Sequence, residues 1–143
     1  MPSYSIHVKR DRMQVIIDAI DAHATVEGYL EIGDGDPGPT PPWAFGNRLV
    51  KIDLEDPSFD DPTAPDAVIN MHITPPATGL TGIASGGGTA TVAQICDGAG
   101  NIIVSRLRVG TAIDVTHHVA ITALAINIGQ TVTCTAGKIT HAP

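Results

Sequence analysis

Aromatic residues are scarce: one Trp, two Tyr and two Phe make up 3% of a chain of 143 residues. A base-stacking nucleic-acid surface or an antibody-like paratope needs more rings than that, and a glycan-binding platform is equally short of them. Basic residues are also few, with 8 Lys and Arg against 15 Asp and Glu, a formal net charge of −7. Attraction to DNA, RNA or anionic lipid is therefore not expected, and neither nucleic acid nor membrane is read as a partner. No apolar run reaches the roughly 18–20 uncharged residues of a membrane helix. The only cysteines are Cys96 and Cys134, and neither stands in a CxxC or a Cys/His set with zinc spacing. Lys9, Arg10, Asp11 and Arg12 break up the early residues, so no secretory leader is read there. The cysteines are expected to be reduced core residues, with a disulfide between neighbouring strands as the alternative.

What the chain does hold is β-branched side chains: 17 Ile, 11 Val and 15 Thr, or 43 of 143 residues. Such residues suit a pleated sheet and suit a helical bundle poorly. Fifteen Gly and eleven Pro add turns. The acidity is lopsided. Residues 1–66 hold 13 of the 15 acids and five of the eight bases, whereas residues 67–143 hold only Asp97 and Asp114 against Arg106, Arg108 and Lys138. A nearly neutral, Thr/Ala/Ile/Val-rich half is what a covered sheet shows, the cover coming from its own core or from a partner.

One helix is predicted, over residues 9–24, where Met13, Ile16, Ile17, Ile20 and Ala24 share a face. Beyond it the hydrophobic period becomes two. Strands are expected at 29–32, 48–54, 68–73, 89–96, 102–109, 119–127 and 131–139. A glycine-rich turn at 97–101 and a second turn at 128–130 each close a hairpin. The fold class is therefore mainly β, an antiparallel β-sandwich or jelly-roll-like domain with one N-terminal α-helix, occupying residues 1–143 as a single domain. Two proline-rich loops, 33–46 and 55–66, are long for so small a domain. They carry Trp43, Phe45 and Phe59, which makes those three aromatics the candidate partner contacts on stiff arms.

No residue pattern carries a catalytic, cofactor or metal site, so no such residues are assigned. Asp34 and Asp36 open like a calcium loop, but Gly38 stands where the next oxygen ligand belongs, Pro39 where the turn glycine belongs and Phe45 where the bidentate acid belongs. His117 and His118, read as adjacent strand residues, point to opposite faces and do not share one metal. Gly86–Gly88 lacks the Lys-Ser/Thr pair of a phosphate loop. Neither cysteine neighbours a His, and no G-x-S-x-G elbow occurs. The chain is not read as an enzyme.

The order of segments is informative: RMQVIIDAIDA, GYLEIGDG, LVKIDLEDPSF, GGTATVAQICDGAGNIIVSRLRVG and IGQTVTCTAGKITHA, running from Arg12 to Ala142. This order resembles a group of small virion-associated structural proteins of tailed bacteriophages and prophages. The loop at 33–46 is longer, and 117–128 more aliphatic, than in that pattern. The resemblance implies a component of the phage particle made in the host cytoplasm. The expected role is a capsid cement or decoration protein on the outer surface, bound to the major capsid protein. The alternative partners are neck or tail proteins, and a glycan-binding module is a third reading. Self-association as a dimer or trimer is expected, with no cofactor.

Overall fold

The computed structural model describes residues 3–38, 44–62 and 67–141. One helix and ten strands follow in order: α1 (Ile6–Ile20), β1 (Tyr29–Gly33), β2 (Arg48–Asp53), β3 (Val68–Asn70), β4 (Leu80–Ile83), β5 (Gly88–Thr89), β6 (Val92–Cys96), β7 (Ile102–Gly110), β8 (Val119–Ile121), β9 (Ala125–Ile126) and β10 (Thr131–Thr140). The protein is mainly β with a single N-terminal helix, and its sheet is curled in the manner of a sandwich or jelly roll.

The eight-stranded sheet runs β2-β1-β6-β7-β8-β10-β3, with β4 also on β10. All its pairings are antiparallel except β7 with β8, which run parallel. The sheet rolls far enough for the end of β4 to return to β2, where the Ser85 and Gly86 N–H groups both donate to Leu49 O. Gly82 makes this approach feasible, since a Cβ there would lie 2.3 Å from Lys51 O. Inside the roll, Leu30, Ile32, Val50, Ile52, Ala93, Ile95, Leu107 and Val109 form one continuous core. At roughly 1.5–3 kcal/mol for each large aliphatic buried, this core is the main term holding the fold.

Helix α1 adds Met13, Ile17 and Ile20 to that core. It starts at Ile6 because Ser5 caps it, its side chain accepting the Val8 N–H, and it ends at Asp21. The predicted span of 9–24 is therefore displaced, and Ala24 lies exposed beyond the helix. The hairpin of β6 and β7 forms around the 97–101 turn as expected. The expected strand 119–127 divides. Val119–Ile121 pairs with β10, while Ala125–Ile126 pairs with β5 in a separate two-stranded sheet.

Candidate partner-contact surface

The first long loop grows directly out of the β1–β2 hairpin. Antiparallel pairing continues past the strand ends: Asp34 N–H donates to Asn47 O, Gly35 N–H to Phe45 O at 2.9 Å, and Ala44 N–H to Asp36 O at 2.9 Å. The Asp34 carboxylate accepts the Asn47 N–H at 2.7 Å, and Asp36 Oδ1 accepts the Gly38 N–H at 2.8 Å. These two carboxylates are thus used by the ribbon itself. Thr91 ties the ribbon to the sheet, its N–H donating to Gly33 O and its hydroxyl to Gly35 O. Glycine is needed at the crossing, because a Cβ on Gly35 would meet Ala44 O at 2.0 Å.

Phe45 is half-buried at the root of this ribbon and folds back over Gly33, where an added Cβ would lie 3.0 Å from its Cζ. Trp43 lies outside the described residues. Phe59 is corrected. It is 2% exposed, belongs to the core, and bridges to Met71 beside β3. A buried ring is not a contact residue, and the described part of the second loop is not a free arm. Asp60 N–H donates to Asn70 O, His72 N–H to Ser58 O, and Ser58 N–H to the Asp21 carboxylate. His72 then stands between Asp60, 2.6 Å from its Nδ1, and Glu55, 3.5 Å from its Nε2. The hydrogen bond that the His72 ring donates to the Asp60 carboxylate raises the His72 pKa above its ordinary 6.5.

Two further turns stand beside the ribbon root. Gly129 N–H donates to Ala84 O, and Ala84 N–H to Gln130 O, both at 2.8 Å, which joins the 84–88 turn to the 127–130 turn. Gly88 brings the first of these turns against Asp34, since an added Cβ would lie 3.4 Å from Asp34 Oδ2. This end of the molecule exposes Ile83 at 63% and Ile128 at 74%. Sequence reasoning did not single out either isoleucine, because each reads locally as ordinary strand or turn chemistry.

The other candidates are placed as follows. Cys96 and Cys134 are free and buried, on β6 and β10, which are not neighbouring strands. Burial and the Glu31 carboxylate push the Cys96 thiol up to about 11, and burial pushes Cys134 up to about 12, so both stay protonated at neutral pH. Among the described residues, no group of three or more His, Cys, Asp or Glu gathers around a metal-sized space. His117 and His118 lie outside any strand and line one groove, so the expectation of opposite faces is corrected. Even so, His118 Nδ1 accepts the Arg108 N–H at 3.1 Å and His117 Nδ1 is held by Asp114. No helix among the described residues is long and apolar enough to cross a membrane. Comparison with protein-family profiles, with curated proteins and with solved structures finds no match.

Proposed function

We propose that this chain is a structural component of a tailed-phage particle, a cement or decoration protein that binds the lattice of the major capsid protein. The observation that carries the reading is the ribbon end of the molecule. There the hydrogen-bonded root of the β1–β2 ribbon stands near the turns that carry Ile83 and Ile128, two large aliphatic side chains left in solvent. A rigid sheet with exposed apolar side chains at one end is suited to gripping a seam between subunits. Each subunit bound at a seam stabilises the assembled shell over the dispersed one by mass action. A net charge of −7 suits an outer surface better than one lining packaged DNA.

The test is the copy number of this chain in purified particles, measured by quantitative mass spectrometry. On the order of hundreds of copies per particle supports the lattice, whereas about six or twelve would move the protein to a neck or tail ring. Absence from the particle would overturn the reading. Light scattering of the purified chain is expected to show a dimer or trimer, and a monomer at all concentrations would contradict self-association away from the particle.

A further inference from the structure

Three side chains that the particle reading leaves unused form a row across the sheet. His118 N–H donates to Arg108 O at 2.9 Å, and Lys138 N–H donates to His118 O at 2.8 Å. Arg108 on β7, His118 just before β8 and Lys138 on β10 are therefore cross-strand neighbours. Leu107, Val109, Val119 and Gly137 beside them in the chain are buried, so strand alternation turns Arg108 and Lys138 to the outer face. These are two of only three cations in residues 67–143, gathered on a molecule of net charge −7.

An open groove of about 480 Å³ runs beside the row, walled by Ile113, Asp114, Val115, His117, His118, Lys138 and Thr140, with Asp114 its one acid. One wall is a stiff loop. The Asp114 carboxylate accepts the N–H groups of Thr116 and His117 at 2.7 and 2.8 Å, the Thr116 hydroxyl at 2.9 Å, and sits 2.8 Å from His117 Nδ1. Its charge is thus satisfied within the loop. Val115, at the loop tip, is 100% exposed. The Arg108 N–H on His118 Nδ1 makes Nε2 the protonated nitrogen of the neutral ring, a donor.

We propose that this row and groove dock an acidic, apolar segment of a partner protein. Its carboxylate meets Arg108, His118 Nε2–H and Lys138, and its neighbouring aliphatic side chain lies on Ile113 and Val115. Charge complementarity selects the occupant, because the row is a local cationic site on an otherwise acidic molecule. The apolar wall favours a peptide over a bare phosphate. The overall negative charge disfavours nucleic acid. The inference stands apart from the particle reading, since it uses other residues and concerns any partner bearing such a segment.

The test is an amide NMR titration of the full chain with a blocked tetrapeptide alternating leucine and glutamate, and in parallel with sodium phosphate. Saturable shifts at Arg108, Val115, His118 and Lys138 are expected with the peptide. Arg108→Gln and Lys138→Gln should each weaken it by about tenfold, or about 1.4 kcal/mol. Val115→Ser should weaken the peptide and leave phosphate binding unchanged. Lys138 is exposed, so Lys138→Gln carries the test should Arg108→Gln fail to fold. Phosphate binding as strong as the peptide, no saturable shift with the peptide, or unchanged peptide affinity in Lys138→Gln would each overturn the proposal. Loss of particle binding with an intact peptide titration would instead count against the particle reading alone.

Discussion

His72 shows how single side chains tie the second loop to the sheet. Asp60 favours its charged form by a hydrogen bond, and Glu55 stands on the other ring nitrogen. A histidine whose pKa is raised on folding contributes stability that is fully present below the free value of 6.5 and is lost as pH rises through the raised value. Proton NMR should give a His72 midpoint above 6.5, and Asp60→Asn should bring it down; an unchanged midpoint in the variant would remove Asp60 as the cause. Thermal unfolding should show the difference between wild type and Asp60→Asn shrinking as pH rises above neutrality. The two thiols give a second check. With values pushed up to about 11 and about 12, Cys96 and Cys134 should resist a disulfide reagent at pH 8 in the native protein and react once urea unfolds it. Phe59 gives a third. Replacing this core ring with alanine should cost roughly 3–5 kcal/mol in urea unfolding, whereas a surface contact residue would cost little. Its position was not legible locally, because an aromatic amid acids and prolines reads as exposed. Its neighbour across the chain, Met71, pairs with it in an isolated bridge just past β3, a long-range pairing that local sequence does not specify.

Among the elements, those with strong local periodicity were legible and those made by long-range closure were not. The stripe Met13, Ile17 and Ile20 identified α1, and only its ends moved, since Ser5 and Asp21 set them. The β6–β7 hairpin followed from two apolar runs and a glycine turn. Strand β4 was missed. Its sequence, LTGI, has no clear alternation, and it exists because β10 pairs with it while Gly82 lets it rest on β2. The split of 119–127 has a similar origin, since β8 finds β10 and β9 finds β5. The ribbon beyond β1 and β2 is the element on which the functional reading rests, and Gly35 is its tightest point. Gly35→Ala would drive a methyl group into Ala44 O, forcing the ribbon apart. Circular dichroism should show an intact sheet with a melting temperature lowered by only a few degrees, together with altered amide shifts at Phe45 and Asn47. Global unfolding would show instead that the ribbon root is part of the core.

On the scale of the whole molecule, the lopsided charge visible in the sequence becomes a spatial arrangement. Acids are concentrated in residues 1–66, while Arg108 and Lys138, 30 residues apart in the chain, flank His118 across the sheet. No motif links those two positions, so the cationic row emerges only from the sheet order β7-β8-β10. The prolines and aromatics of the first loop mark it in the sequence as an expected contact region, whereas Ile83 and Ile128 come near its root only through the fold. The two proposals predict separable behaviour, with substitutions at the ribbon end affecting shell binding and substitutions in the cationic row affecting an acidic segment. The most direct measurement of the proposed role is co-sedimentation of the purified chain with tailed-phage heads prepared without it. The account predicts saturable binding that is weakened by Gly35→Ala and by paired Ile83→Ser and Ile128→Ser substitutions. A chain that stays at the top of the gradient at every ratio tried would contradict it.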